Sequence, residues 1–414
     1  MTHSRLHLFQ GYGIELEYMI VDRDSLEVKS ISDELLKHEL GVYGSDFDNG
    51  LVTWSNEIVL HVVELKSSKP EWDFEPLQIS FHENIRLINN ILSERNAMLL
   101  PTAAHPFMVP SKETKLWPHD NNEVYTVYNA IFDCSGHGWS NLQSTHLNLP
   151  FGDQKEFAKL HAAIRIILPL LPALCASSPI LDGKPTGVAD TRLTYYKTNQ
   201  SRIPSITGQI IPEAVDSEAE YHEVIFKKIK KDIEPFDPEN ILDPIWVNSR
   251  GAITRFDRGS IEIRIMDVQE CPSADLAIVT LVIETLKALT AERFMSMNEQ
   301  MKWDVAPLAA LLDKTIVDGS HAIFENTDYL KIFGINKGTA TAKEIWQTII
   351  AYHTKTGNVM LNKYMPELTV ILEEGTLSDR ILKSLDGNYS IEDLKKVYKQ
   401  LALCLAENKM FLAM

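Results

Sequence analysis

Three stretches of this chain alternate chemically active side chains with aliphatic ones. In residues 13–22, GIELEYMIVD, Glu15 and Glu17 point to one side of an extended strand, and Ile14, Leu16 and Tyr18 to the other. In residues 141–149, NLQSTHLNL, Ser144, His146 and Asn148 alternate with Thr145 and Leu147. In residues 260–267, SIEIRIMD, Glu262 and Arg264 alternate with Ile261, Ile263 and Ile265. An exposed amphipathic strand would account for any one of these alone; three together point to a shared polar face. Two carboxylates two positions apart on a strand, about 7 Å, repel each other unless a cation lies close. Mg²⁺ is hard, takes carboxylate oxygens, and completes its shell with phosphate oxygens and water. A sheet face bearing several glutamates is therefore a cradle for a metal-bound triphosphate.

Glu57 and Glu64 are further acidic candidates. Their odd spacing would put them on opposite faces of an unbroken strand, so either a bend or bulge intervenes near Leu60 or only one of them faces the site. Arg192, Arg202, Arg255 and Arg258 lie in or near the loops flanking these strands, and a guanidinium can clamp a carboxylate with two parallel bonds. Asp267 is another acidic group at the end of a site strand. The chain has no G-x-S-x-G elbow, no Walker A sequence and no G-x-G-x-x-G. Cys134, Cys175, Cys271 and Cys404 lie far apart, without zinc spacing. A covalent serine or cysteine mechanism thus has no support, and a nucleotide would have to be held by the acidic sheet.

The elements that must position these groups are mixed in the first 270 residues. Strands are expected at 13–22, 58–66, 141–149 and 260–267. The recurrence of Leu77, Phe81, Ile85, Ile88 and Leu92 predicts a helix within 72–98. Asp153 caps a long helix over 153–176 that Pro169 and Pro172 break. Residues 177–212 read as a long loop, and 217–231 as a short charged helix. Ser273 opens a helix over 273–298, and further helices are expected near 304–313, 342–355, 359–373, 377–385 and 390–409.

Composition bounds the rest. The chain has 414 residues, 44% hydrophobic and 23% charged, which is ordinary globular usage. With 40 basic and 57 acidic residues its formal charge is −17, which speaks against broad nucleic-acid or anionic-membrane binding. The opening MTHSRLHLFQGYG lacks the apolar core of a leader. No apolar run approaches the roughly 18 residues of a membrane span. A cytoplasmic protein with reduced thiols is the expectation.

The order of these segments resembles the glutamate–cysteine ligase family of the bacterial carboxylate–amine ligase type. GIELEY is similar to that family's Gly-x-Glu-x-Glu strand, EIVLHVVELKSS to its second acidic segment, and STHLNLPFGD to its histidine-bearing strand. ASSPILDGKPTGVADTRLTYY resembles the loop after its central helix, and GSIEIRIMDVQECPSADLAIVTLVIETL its Glu-x-Arg strand and following helix. The histidine strand departs from the family's His-x-His type, reading Ser-Thr-His-Leu-Asn.

The resemblance implies an α+β, glutamine synthetase-like fold: a curved antiparallel sheet forming a funnel, with helices packed outside. Residues 1–290 would form the catalytic core and 291–414 a helical C-terminal part that could supply a homodimer surface. It implies ATP with Mg²⁺ or Mn²⁺ held by Glu15, Glu17, Glu57, Glu64, His146 and Glu262. Arg264 and Arg258 would contact the nucleotide, with Arg264 on the transferred phosphoryl group, and Arg192 would clamp a substrate. The implied reaction activates a carboxylate, that of L-glutamate first, as an acyl phosphate for attack by an amine such as cysteine. A guanidino-kinase-like phosphotransferase and a non-catalytic nucleotide-binding protein are the alternatives on the same fold.

Overall fold

Strand β1 (Gly13–Asp22) has the predicted bounds in a computed structural model that describes residues 5–120 and 122–413. The first four residues of the segment examined for a leader lie outside the described residues. Seven further strands join β1 in one antiparallel sheet: β2 (Asp46–Asn49), β3 (Val52–Asn56), β4 (Val62–Ser67), β5 (Ala97–Leu100), β6 (Ser144–Pro150), β7 (Ala252–Arg255) and β8 (Ser260–Asp267). Their order is β2-β3-β4-β1-β6-β8-β7, with β5 pairing the far end of β1.

The register gathers the acidic groups. Glu17 stands opposite Glu64, Glu15 opposite His146, and Glu262 opposite Asn148. Residues directly opposite in an antiparallel pair share a face, so one face carries all of these. On the other face Ile14, Leu16, Leu65, Leu147, Ile261 and Ile263 are fully buried. The strand of 58–66 begins only at Val62. Residues 57–61 form the connection from β3, so the bend near Leu60 is the alternative observed, and it removes the parity conflict between Glu57 and Glu64.

A bulge interrupts β8. Ile263 pairs with Leu147 but Met266 with Thr145, three steps on one strand against two on its neighbour. The extra residue reverses the alternation. Asp267 therefore faces Ser144 on the acidic side, despite its odd spacing from Glu262.

Helices cover the apolar face. In α1 (Phe74–Ser93) the predicted Leu77, Phe81, Ile85, Ile88 and Leu92 are all buried, and the Asp73 side chain accepts from Glu75 N. The helix α2 (Asn122–Phe132) was not foreseen. Asp153 caps α3 (Gln154–Ile167) as predicted, and the break falls at the 3₁₀ turn Leu168–Leu170. The loop of 177–212 contains a two-residue hairpin and α4 (Thr191–Tyr196), so Arg192 sits on a helix and not in open loop. Helix α5 (Pro272–Thr290) is buried around almost its whole circumference; Cys271, not Ser273, stands at its N-cap, with Pro272 in the first turn. The C-terminal helices fall near their expected places, with a break at Tyr364 and one short ribbon, Ile323–Phe324 with Ala340–Thr341. The main apolar cluster runs from Leu16 and Ile263 of the sheet to Trp346 and Leu368 of the last third.

One buried ion pair ties the C-terminus to the site strand. Arg380 and Glu270, both fully buried, are paired, and Arg380 also donates to Phe411 O. Glu270 in turn accepts from Phe411 N at 3.1 Å. Removing one member leaves a buried charge alone, so Glu270→Ala should lower the unfolding free energy by about 3–5 kcal/mol. Urea titration checks this; a loss under about 1 kcal/mol would mean that the clamp contributes little.

His161 of α3 is fully buried between the rings of Phe157 and Tyr221, at 5.3 and 5.9 Å. Burial pushes its imidazole down to about 3. The unfolded chain, with an ordinary histidine, binds the proton first, so this residue's contribution to stability is complete above about pH 6.5 and fades as the pH falls towards 3. His161→Phe should therefore lose less stability than the wild type between pH 7 and 4, by a margin of about 3 kcal/mol. Equal losses in urea unfolding at the two pH values would refute it.

Candidate active site

The acidic face of the sheet is the floor of a cavity of about 810 Å³. Glu15, Glu17, Glu57, Glu64, His146, Glu262 and Arg264 all line it, and Lys66, Lys69, Arg255 and Arg258 stand around it. A second chamber of about 310 Å³ adjoins the first, and Glu17, Glu57, His146, Trp246 and Arg264 line both. Every residue expected as a metal ligand is thus on one surface.

His146 is the hub. Its Nδ1 lies 2.8 Å from Glu15 Oε2 and 3.7 Å from Glu262 Oε1, and its Nε2 lies 3.8 Å from Glu17 Oε1. Asn148 Nδ2 donates to the other Glu15 oxygen at 2.9 Å. Ser144 donates to Glu17 Oε2 through its backbone N at 2.6 Å and its hydroxyl at 3.0 Å. Arg264 Nε lies 2.8 Å from Glu262 Oε1. Lys66 Nζ sits 3.5 Å from Glu64 and 3.0 Å from Asp46.

The protonation of this surface reflects crowding. Burial raises the Glu57 carboxyl to about 8, helped by the charge of Glu17. Glu64 is pushed well above the carboxylate range by burial and by Glu15 and Glu57. Burial opposes ionisation of Glu15 too, but bonding and attraction from His146 win and hold it down to about 2. Burial works against the His146 charge, yet its acidic neighbours raise it. Five carboxylates share this floor, and protons occupy places where charge would otherwise repel.

A divalent cation fits the donor set. Ligand atoms of Glu15, His146 and Glu262 all lie within 4.8 Å of one another. Hard carboxylate oxygens with one imidazole suit Mg²⁺ or Mn²⁺, and a cation would relieve the repulsion now answered by protons.

The arginines divide. Arg264 reaches both chambers. Arg192 is buried, its Nη2 donates to Arg264 O at 2.9 Å, and its Nη1 lies 3.5 Å from Asp267 Oδ1. Asp267 Oδ2 accepts from Ser177 N at 2.8 Å and the Ser178 hydroxyl at 3.0 Å. Arg192 is therefore not a free clamp; it braces the bulge that carries Arg264. Arg258 is exposed, at the β7–β8 turn on the cavity rim. Arg255 pairs with Asp257 at 2.8 Å. Arg202 donates to Ile131 O and lies over the Phe236 ring, and it lines neither chamber. Sequence reasoning missed the wall of the second chamber: Tyr125, Tyr128, Trp139 and Trp246 lie in segments without strand or helix periodicity strong enough to place them.

Glutamate-cysteine ligase family 2 (GCS2) matches residues 12–400. An uncharacterized protein of Archaeoglobus fulgidus is 30% identical over 403 residues, 97% of this chain and 100% of that protein. A protein of Ruegeria pomeroyi, provisionally named glutamate–cysteine ligase 2, is 25% identical over 259 residues; the match spans 62% of this chain and 60% of that relative. Among solved structures, the glutamate–cysteine ligase of Francisella tularensis in complex with AMP superposes with a TM-score of 0.62 at 13% identity, covering 97% of this chain and 90% of that one. A bifunctional glutathione synthetase of Pasteurella multocida gives 0.63 at 12% identity, over 97% of this chain and 53% of that one. These structures share the fold. Among the described residues no helix is long and apolar enough to cross a membrane.

Metal binding should displace the protons that crowding retains. At pH 7 Mn²⁺ addition is expected to release protons from Glu57 and Glu64, seen as a buffer-dependent heat in calorimetry with two buffers of different ionisation enthalpy. Asn148→Ala, which frees Glu15, should weaken Mn²⁺ by about 10–100-fold. Binding without proton release would show that the cation sits elsewhere.

Proposed function

The chain belongs to glutamate-cysteine ligase family 2, and from that premise we propose that it is an ATP-dependent carboxylate–amine ligase. The acid is L-glutamate or a close analogue. The observation that carries this reading is the meeting of two chambers at one anionic, arginine-bearing surface. One side has the size and the basic rim for a nucleotide, the other the size for a small organic substrate.

Joining a carboxylate to an amine in water requires activation. The γ-phosphoryl group moves from the bridging oxygen of ATP to a carboxylate oxygen, giving an acyl phosphate and ADP. The amine nitrogen then forms the C–N bond as the C–O bond to phosphate breaks. Phosphate leaves, and the amine's surplus protons pass to it and to solvent.

Glu15, Glu17, Glu57, Glu64, His146 and Glu262 would hold the divalent ions, which would offset charge on the triphosphate. The chain's own part is orientation. Asn148 and Ser144 fix the Glu15 and Glu17 carboxylates, and Glu262 fixes Arg264. The guanidinium of Arg264 then meets the charge that grows on the transferring oxygens. Arg192 and Asp267 act through Arg264 as positioning residues. Arg258 reaches the nucleotide from the rim.

The test is phosphate release with ATP and glutamate fixed and a panel of amines varied, with the product trapped. A ligase frees phosphate and forms an amide, whereas phosphate left on the acceptor would mark a kinase-like transfer and overturn the proposal. Arg264→Lys keeps a charge but loses the planar fork, and kcat should fall by about 10²–10³-fold.

A further inference from the structure

We infer that Asp190 and Asp267 share one proton beneath Arg192, that Asp190 carries it, and that Asp190 is thereby a positioning residue for Arg192 and Arg264. The link to catalysis rests on the ligase reading above; the shared proton does not.

The two carboxyl groups meet inside the protein. Asp190 and Asp267 are both fully buried, and their side chains lie in hydrogen-bonding contact. Among the described residues, neither Asp190 Oδ2 nor Asp267 Oδ1 has a hydrogen-bond donor. Two ionised carboxylates in such contact only repel, whereas one proton between them makes a hydrogen bond in the same place. The remaining contacts say which group carries it. Asp267 Oδ2 accepts from Ser177 N and the Ser178 hydroxyl, and Arg192 Nη1 stands 3.5 Å from Asp267 Oδ1. Among the described residues Asp190 accepts only from Leu193 N, at 2.9 Å. A negative charge is better kept where more donors face it, so Asp267 is the carboxylate and Asp190 the acid. Burial and the charge of Asp267 push the Asp190 carboxyl well above the carboxylate range. Burial raises Asp267 less, to about 6, because Arg192, Ser177 and Ser178 hold it back.

The proton leaves a single negative charge beside Arg192. Arg192 Nε and Nη1 have no hydrogen-bond partner among the described residues. Its guanidinium is therefore held by the Nη2 bond to Arg264 O at 2.9 Å and by attraction to Asp267. A second ionised carboxylate at Asp190 would compete with that carbonyl for the guanidinium. Helix α4 joins the parts. Asp190 caps it, Arg192 lies in its first turn, and Ser178 accepts from Arg192 N at 3.0 Å while donating to Asp267. Of the neighbouring titratable groups, burial and the two aspartates keep Cys175 a thiol. On the helix Val305–Asp318, whose Ile316 O accepts from Asp190 N, Asp313 pairs with Lys197 and Lys314 with Glu325. On the helix Leu377–Leu385, whose Ser378 hydroxyl donates to Ala189 O, Asp379 is engaged with Thr376 and Arg380 with Glu270.

Urea unfolding of the full chain between pH 5 and 8 tests the proton apart from turnover. A carboxyl that keeps its proton only when folded stabilises fully below about pH 4, and that contribution fades as the pH rises towards its folded value. Relative to Asp190→Asn, wild type should therefore lose up to about tenfold in the folding equilibrium constant per pH unit. The asparagine keeps the cap through its oxygen and places an N–H where the acid had its O–H. Infrared spectra at pH 8 should show a protonated carboxyl in wild type that Asp190→Asn lacks. Parallel pH dependence in the two proteins, or no difference in the protonated-carboxyl band, overturns the shared proton. Phosphate release with ATP, glutamate and a panel of amines then reads the positioning role. Asp190→Ala should lower kcat by about tenfold or more, with the KM for ATP changed by less than about threefold. Asp190→Asn should restore most of that loss, and Asp267→Asn should not. Equal losses in the two asparagine variants, or no loss in Asp190→Ala, refute the positioning role. No phosphate release by wild type with any acid and amine pair refutes the ligase and, with it, the catalytic role, while the proton stands or falls on the unfolding and infrared results.

Discussion

Like charges placed directly across a strand pair are the constraint on which this architecture turns. Glu17 opposite Glu64, with Glu15 beside them, is an arrangement that destabilises a sheet. The chain compensates locally. His146 takes up Glu15, Lys66 leans on Glu64, and Arg264 on Glu262, while burial and its acidic neighbours push the Glu64 carboxyl well above the carboxylate range. The compensation is incomplete by construction: a floor fully neutralised by its own side chains would have nothing left to attract a cation. Stability has to come from the opposite face, where a continuous layer of isoleucine and leucine is shut under α1, α3 and α5. The two faces of one sheet thus divide the labour, and the alternation of side chains lets them do so independently.

That alternation is also why so much of the floor was legible in the sequence. Glu15, Glu17, His146, Asn148, Glu262 and Arg264 could be assigned to a face because they lie in strands whose intervening residues are aliphatic. The register seen in the structure obeys the same pattern, since only one pairing parity buries Ile14, Leu147 and Ile261 together. Glu57 was harder. It lies in a connection, where spacing carries no facing information, and its place on the floor depends on how β3 turns into β4. Asp267 was illegible for a sharper reason. A single inserted residue between Ile263 and Met266 inverts the parity beyond it, and no residue type there announces a bulge.

The aromatic chamber was invisible for another reason. Tyr125 and Tyr128 come from α2, Trp139 from the turn beyond it, and Trp246 from a segment more than 100 residues later. No local periodicity relates them. Their meeting is set by tertiary packing, which a reading of nearest neighbours does not reach. Arg192 was singled out on the strength of its loop, and the structure gives it a different task for the same reason. It lies on α4, where Asp190 caps the helix through Leu193 N and Ser178 accepts from its backbone. Its guanidinium is turned towards the sheet, where Nη2 donates to the Arg264 carbonyl and Nη1 lies 3.5 Å from Asp267.

The position of Arg264 therefore depends on more than its own strand. A bulge is a weak point in a ladder, since the extra residue lacks a regular partner. Here it is gripped from outside, by Arg192 on one carbonyl and by Arg264 N donating to Gly251 O at 3.0 Å. Asp267 completes the grip and is itself fixed by Ser177 and Ser178, where the chain leaves its central helices. Three residues further on, Glu270 anchors Arg380 and the C-terminal tail. The same short stretch, 262–270, thus carries an acidic group of the floor, its guanidinium, the brace and the attachment of the last helices. Under the proposed reaction the transferring group must be held to a fraction of an ångström. A strand secured at both ends and pinned at its bulge provides that stiffness, whereas a regular strand would have aimed Asp267 into the core and left Arg192 without its carboxylate.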